Sequence, residues 1–149
     1  MTTDDLPFNE ANVVAATGLV VRASTVEGAG LGLFAVRAFA RDEVVAVYTG
    51  VLLTADEIRE MASFGDDWPD RYEYVMEFPD HGVCLDMAGR GLPVHYINDN
   101  RDRSKINTTF VKRERLLLAE LVALRDIDPG EELFVDYGPQ FWTGSRVLR

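Results

Sequence analysis

The sequence of 149 residues has one cysteine, Cys84, and two histidines, His81 and His95. A disulfide needs two cysteines, and a structural zinc site of the usual kind needs four Cys or His ligands. The chain alone can therefore assemble neither a disulfide framework nor a Cys/His zinc centre. We expect its chemistry to need no metal.

Long apolar runs and excess positive charge are also missing. No run approaches the roughly 18 apolar residues that span a bilayer, and 15 Lys and Arg against 25 Asp and Glu leave a net charge of -10. We therefore expect no membrane association and no direct nucleic-acid binding, which depends on Lys and Arg. The charge favours a basic partner, although acidity can also serve solubility alone.

The polar, acidic start, MTTDDLPFNE, lacks the features of a secretory signal, so we expect an intracellular protein.

The length fits one ordinary domain with its own core. We expect residues 1–17 to form a loosely held N-terminal arm, and residues 18–149 to form the domain with a short aromatic C-terminal tail. A first strand is predicted over Leu19–Ala23. Thr54 followed by Glu57 is a capping-box pattern, which predicts a helix from about Ala55 to Ser63.

The remaining patterns are mostly those of strands. YEYVMEF and GVCLDMA read as two strands joined across Pro79 to His81. Residues Leu116 to Leu124 could be helical on propensity, and the polar run NDNRDRSK reads as a surface loop. Many short strands with one convincing helix predict a mainly β fold with minor α content and several small sheets.

The first segment that suggests chemistry is GAGLGLFA, residues Gly28 to Ala35. Glycines let a backbone approach a ligand closely and present its N–H and C=O groups, which suits a small polar cofactor. The segment lacks the third glycine and the following helix of a dinucleotide-binding fingerprint. A glycine-rich hairpin turn is an equally good interpretation of this segment alone.

Two further segments carry polar residues beside apolar ones. Residues 127–138, IDPGEELFVDYG, join a Pro-Gly turn to a strand that ends in Asp-Tyr-Gly, and residues 95–100, HYINDN, are followed by NTTF at 107–110. Taken singly, both are compatible with ordinary turn chemistry.

Taken in order, these segments resemble the SET-domain lysine methyltransferases over roughly residues 18 to 143. The resemblance is carried by the sequences at Gly30–Ala35, Tyr48–Gly50, Asn98–Asn107 and Gly130–Gly138. It implies a SET-domain fold of several small curved sheets with a C-terminal pseudoknot. It also makes Leu116 to Leu124 mostly strand.

The chain departs from the family pattern at several places. Asp99 stands where relatives usually have His, His95-Tyr96 replaces a common Arg-Phe, and Asp42 occupies a turn position where glycine is common. Cysteine-rich flanks are absent, and the ending PQFWTGSRVLR is similar to that of small viral SET proteins. Phe141 and Trp142 either cover the active site or pack as part of the core.

The resemblance implies methyl transfer from S-adenosylmethionine to a protein lysine, with S-adenosylhomocysteine as the product. Tyr72 is preferred to Tyr74 as a cofactor contact because its spacing to Asp86 matches the family better, although either tyrosine could be an ordinary strand residue. The catalytic residue it implies is Tyr137. The implied cofactor contacts are Ala29, Gly30, Leu31, Tyr72, Asn98, Asp99 and Trp142, and the implied lining of the substrate lysine channel is Tyr48, Phe110 and Val135.

The expected partner is a basic, lysine-containing protein, with a histone tail favoured by the acidic charge. Phe110 and Val135 carry no hydroxyl that would hold a blocking water, so we predict di- or trimethylation. The apolar C-terminal residues are compatible with a homodimer. A histone substrate implies a nuclear location and any other substrate a cytoplasmic one.

Two alternative functions stay open. One is a catalytically silent SET module that binds a lysine-bearing tail, and the other is an adaptor β-domain that recruits basic partners.

Overall fold

The structure is a computed structural model, and it describes residues 2–62, 75–86, 91–100 and 102–136. These residues form nine strands and two α-helices, together with short 3-10 helices. The helices are α1 (Glu10–Thr17) and α2 (Ala55–Ala62). The strands are β1 (Leu19–Ala23), β2 (Leu31–Ala35), β3 (Val44–Tyr48), β4 (Leu52–Thr54), β5 (Val75–Phe78), β6 (Val83–Asp86), β7 (Thr108–Arg113), β8 (Leu118–Ala123) and β9 (Glu132–Leu133).

The strands form three small sheets. Their strand orders are β1-β2-β9, β3-β8-β7 and β4-β6-β5, and the pairings of β1 with β2, β2 with β9, β3 with β8, and β6 with β4 and β5 are antiparallel. The predicted mainly β fold class is confirmed.

The described residues divide into two compact units. The first comprises those of 1–48, 90–111 and 119–136, and the second those of 49–89 and 112–118. All the predicted site residues that the structure describes belong to the first unit.

The first sheet is buried on both faces. Strand β1 buries Leu19, Val20 and Val21, and β2 is buried from Gly32 to Ala35. A strand covered on both sides reads as a continuous apolar run instead of an alternating one. Each buried aliphatic side chain stabilises the fold by about 1.5–3 kcal/mol relative to leaving it exposed. The buried part of the sheet therefore belongs to the core, whereas Arg22 and Ala23, next to the turn, are exposed.

Residues 132–135, which we call the late segment, complete this sheet. Leu133 pairs with Leu33 of β2, while Phe134 and Val135 form parallel bridges to Asn98 and Thr108. The Val135 N–H donates to the Asn98 carbonyl at 3.0 Å, and the Thr108 N–H donates to the Phe134 carbonyl at 3.1 Å. The segment thus lies between the two ends of the loop that joins residues 98 and 108, which is the arrangement that a pseudoknot requires.

The start of α2 has the predicted capping box. The Glu57 N–H donates to Thr54 Oγ1 at 3.1 Å, and the Thr54 N–H donates to Glu57 Oε1 at 3.4 Å. These two bonds satisfy backbone donors that the helix start would otherwise leave without partners. Ile58 is buried, whereas Ser63 lies outside the described residues.

Two elements differ from the reading by pattern alone. Residues 10–17, predicted as part of a loose arm, form the helix α1, which is capped by the Asn9 side chain and ends at Gly18 with φ of 73°. Its apolar residues are mostly consecutive, from Val13 to Ala16, so they show no helical spacing that a pattern could reveal, and none of them is buried. Leu118–Ala123 is strand, as the family resemblance implied. No helix in the described part of the chain is long and apolar enough to cross a membrane.

Candidate active site

The glycine-rich segment forms the turn between β1 and β2. The Ser24 N–H donates to the Gly30 carbonyl at 2.8 Å, and the Ala29 N–H donates to the Val26 carbonyl at 3.1 Å. Gly28 and Gly30 have φ of 78° and 75°, a left-handed conformation that other residues adopt only at a cost. We call residues Ser24–Gly30 the cofactor turn, because Ala29, Gly30 and neighbouring Leu31 are predicted cofactor contacts.

Asn98 joins the start of β2, directly after the cofactor turn, to the late segment. Its side-chain Nδ2 donates to the Leu31 carbonyl at 3.0 Å, and its backbone carbonyl accepts from Val135. One residue therefore brings a predicted cofactor contact and a predicted channel residue together. Asp99 follows it in the chain and is half-buried.

Tyr48 and Phe110, both predicted to line the lysine channel, are in ring contact. Their centroids lie 5.5 Å apart with the rings nearly perpendicular at 87°, an edge-to-face geometry that aromatic pairs favour. Tyr48 is fully buried. His95, which the sequence analysis named only as a departure from the family, lies on Tyr48 with 4.7 Å between centroids.

The His95 ring is held by the main chain. Its Nδ1 accepts a hydrogen bond from the Leu92 N–H at 3.1 Å. That bond requires an unprotonated Nδ1, so it selects the Nε2–H tautomer. His95 was not predicted as a site residue, and the replacement of Arg at this position was the one available signal.

Val135 is fully buried and lies beside the strand that carries Phe110. Its bridge partner is Thr108, two residues before Phe110. The side chain of Thr108 reinforces this pairing, because Oγ1 donates to the Phe134 carbonyl at 2.8 Å. The three predicted channel residues thus occupy strands β3 and β7 and the late segment of one unit.

Asn107 fixes the late segment from the other end of the loop. Its Oδ1 accepts from the Phe134 N–H at 2.8 Å, and its Nδ2 donates to the Glu132 carbonyl at 3.0 Å. The residue is only 1% exposed. Asn107 was part of the family resemblance but was not predicted as a site residue.

The loop between Asn98 and Asn107 has its own polar structure. The Ser104 side chain and N–H donate to Asp102 Oδ1 at 2.6 and 3.0 Å, and these two bonds hold the pKa of Asp102 below its usual value. The polar run from Asn98 to Lys105 was predicted as a surface loop, and residues 102–105 are exposed, whereas Asn98 is half-buried and bridges to Phe134.

Three predicted site residues, Tyr72, Tyr137 and Trp142, lie outside the described residues, as do Tyr74 and Phe141. Their roles stay predictions.

Comparison with known proteins places this architecture in a family. The SET-domain family model matches residues 30–138, a range that contains the cofactor turn's last residue, Asn98 and the late segment. The chain belongs to the SET-domain family.

Similar proteins include two histone-lysine N-methyltransferases. EZH2 of Chaetomium thermophilum is 33% identical over 132 residues, covering 85% of this chain and 8% of that protein. Set8 of Drosophila pseudoobscura pseudoobscura is 35% identical over 124 residues, covering 81% of this chain and 18% of that protein. The Chaetomium thermophilum complex ctPRC2, solved in an autoinhibited conformation bound to S-adenosylmethionine, matches with a TM-score of 0.65 and 31% identity over 88% of this chain and 16% of that chain. This chain spans only a small part of the length of the proteins it matches.

Proposed function

We propose that this protein is a lysine methyltransferase that moves a methyl group from S-adenosylmethionine to a lysine of a basic protein, favouring a histone tail. The observation that carries the proposal is the double role of Asn98. Its side chain donates to Leu31, which directly follows the cofactor turn, and its backbone carbonyl accepts from Val135 of the late segment. One residue thereby contacts both a proposed cofactor-binding residue and a proposed residue of the lysine channel.

The cofactor turn is compatible with a bound small molecule. A Cβ placed on Gly28 or Gly30 would have no described atom within 4 Å, so a ligand can approach this backbone closely. The residues proposed to hold the cofactor are those of the turn around Ala29 to Leu31, with Asn98, Asp99, Tyr72 and Trp142. When bound, S-adenosylmethionine supplies an electrophilic methyl group on a sulfonium. The same molecule is bound to ctPRC2 in its autoinhibited conformation.

The proposed channel residues prepare the substrate lysine. An ordinary lysine has a pKa of about 10.4 and must lose its proton before it can attack. The buried Tyr48 ring and its partner Phe110 offer apolar surroundings, which disfavour the ammonium form. Tyr137 is proposed to orient the lysine nitrogen by its hydroxyl, since alignment and exclusion of water contribute most to such a displacement.

We further propose that the product carries two or three methyl groups. Phe110 and Val135 bring no hydroxyl to the channel, so neither can hold a water in the space that a growing methylammonium group needs. Detection of monomethyl-lysine as the only product at long reaction times would refute this part.

Two observations support the histone preference. A net charge of -10 suits a lysine-rich tail, and the two relatives above are histone-lysine N-methyltransferases. A histone substrate would make the protein nuclear, and another substrate would make it cytoplasmic. A homodimer stays a prediction, because the C-terminal residues behind it are not described.

The test is transfer of labelled methyl groups to core histones, with products identified by mass spectrometry. Tyr137→Phe should lower kcat by about a hundredfold or more, the usual scale for losing one preorganised polar group. Tyr96→Phe, which removes a hydroxyl from a tyrosine with no proposed catalytic role, is the matched control and should stay active. Cofactor binding without transfer would point to another protein substrate. Absence of cofactor binding would favour the silent module, for which Asp99 is the motivation.

A further inference from the structure

Glu132 has a buried carboxylate whose two oxygens are both used. Oε2 accepts from Ser24 Oγ at 2.7 Å, while Oε1 accepts from the Thr25 N–H at 2.8 Å and from Thr25 Oγ1 at 2.6 Å. The residue is 7% exposed. Hydrogen bonds to an ionised, shielded acceptor are among the strong ones in proteins, so this carboxylate firmly fixes the first two residues of the cofactor turn.

Ser24 also forms hydrogen bonds to two other residues of the turn. Its Oγ also accepts from the Val26 N–H at 3.0 Å, and its own N–H donates to the Gly30 carbonyl. Gly28 and Gly30, by contrast, have no side chains that could fix their positions. The shape of the turn around the proposed cofactor contacts therefore depends on its anchored end.

Gly32 has a specific reason to be glycine in this arrangement. A Cβ at that position would collide with Oε2 of Glu132 and come within 3.2 Å of Ser24 Cβ. The two glycines of the Gly30-x-Gly32 motif thus do different things. Gly30 provides the left-handed turn, whereas Gly32 makes room for the carboxylate that holds it.

The backbone of Glu132 belongs to the late segment. It pairs with Phe34 of β2, and its carbonyl accepts from Asn107 Nδ2. Its neighbour Glu131 points elsewhere and accepts from the Asp128 N–H and from Arg125. Two adjacent glutamates of identical chemistry therefore serve two separate turns, which provides a natural control.

We propose that Glu132 is a positioning residue, whose carboxylate holds the cofactor turn in the shape that receives S-adenosylmethionine. The proposal rests on the function proposed above. Glu132 does not touch the reacting atoms, so its effect should fall on cofactor affinity and leave the chemical step nearly unchanged.

The experiment measures the Kd of S-adenosylmethionine by titration calorimetry for wild type, Glu132→Gln and Glu131→Gln, and the KM and kcat of the active proteins. The amide nitrogen of Gln cannot accept from Ser24 or Thr25, so the turn loses part of its anchor and must be ordered when the cofactor binds. We expect Glu132→Gln to weaken binding about tenfold or more. Its kcat at saturating cofactor should stay within about threefold of wild type, because the bound turn is ordered again. Glu131→Gln should bind within about twofold of wild type, since it loses bonds in another turn.

Thr25→Val covers the case in which Glu132→Gln does not fold. It removes only the Oγ1 donor at an exposed position and keeps the backbone bond, so we expect about threefold weaker binding. Wild-type affinity in either folded variant overturns the proposal, as does an equal loss in Glu131→Gln. A wild-type protein that binds no cofactor would instead refute the proposed function, and the positioning role with it.

Discussion

The two units of the described chain differ in one respect, because the second contains a buried side-chain oxygen without a hydrogen-bond partner. In the first unit, the side chains of Asn107, Thr108 and Glu132 are almost fully buried and each makes hydrogen bonds of 3.0 Å or shorter. In the second unit, Oε1 of Glu77 is buried with no hydrogen-bond partner in the described structure. Saturated polar groups fix one arrangement of the backbone, whereas a buried group without a partner reduces stability.

Lys112 does not supply the missing hydrogen bond to Oε1 of Glu77. Its Nζ donates to the Glu77 backbone carbonyl at 2.7 Å and lies 5.8 Å from the centre of the Phe78 ring. Burial raises the pKa of Glu77, and the charge of Lys112 only partly opposes that shift. Among the described residues, the unit that holds the candidate site has no buried side-chain nitrogen or oxygen without a hydrogen-bond partner.

The sharpest test of this contrast is Asn107→Ala. The change leaves the buried Phe134 N–H without its acceptor and removes a donor from the Glu132 carbonyl, so we expect a loss of about 3 kcal/mol in the free energy of unfolding. Thr108→Val is the matched control. It should cost about 1 kcal/mol, because the Phe134 carbonyl keeps backbone donors. Chemical denaturation measures both, and equal losses would contradict the special role of Asn107.

The second prediction concerns Cys84 in the second unit. Burial first, and then the charge of Glu77, raise the pKa of this thiol to about 11. At pH 8 the thiolate should therefore be about a hundredfold scarcer than in a free cysteine. Alkylation by iodoacetamide should be slower by at least that factor in the folded protein and reach one label per chain after unfolding. Rapid labelling of the native protein would show that this strand pair opens readily.

The smallest expected effect is that of Glu77→Gln on pH dependence. Because the folded pKa of Glu77 is raised above 4.5, its contribution to stability is fully present below pH 4.5. It is lost as the pH rises through the folded pKa. Urea denaturation at pH 4 and pH 7 should show that Glu77→Gln gains stability relative to wild type only at the higher pH. Parallel profiles for the two proteins would mean that the carboxylate is better solvated than its position indicates.

Local signals in the sequence predicted local structure well. The Thr54 and Glu57 pair places the start of α2 because both members of the capping box lie within one helical turn. The hairpin across Pro79 to His81 was also predicted, because its two strands follow each other closely in the sequence. Strands β5 and β6 pair antiparallel as expected. Helix α1 was missed because its apolar residues, Val13 to Ala16, are consecutive and show no helical spacing.

Long-range polar contacts could not be predicted in this way. Glu132 lies 107 residues from Thr25 in the chain, and in the sequence it reads as one of two equivalent glutamates after a Pro-Gly turn. Family resemblance directed attention to Asn98 and the glycines, but their partners became visible only in the structure.

Asp42 shows how a departure from a family can be understood physically. Its φ of 70° lies in the left-handed region, where glycine is the residue with least strain and Asp is among the better-tolerated alternatives. Its backbone N–H still donates to the Ala123 carbonyl at 2.8 Å. The predicted confinement of this change to a turn agrees with that geometry.

The pairing of β2 with β9 has a consequence for folding during synthesis. Strands β1 and β2 leave the ribosome about 100 residues before β9, so their sheet gains its third strand only when residues 132 and 133 have been synthesised. Contacts between such distant segments slow folding, because a long loop must close before they form. Until then the nascent chain carries the glycine-rich turn without Glu132, whose carboxylate holds Ser24 and Thr25 in the folded protein.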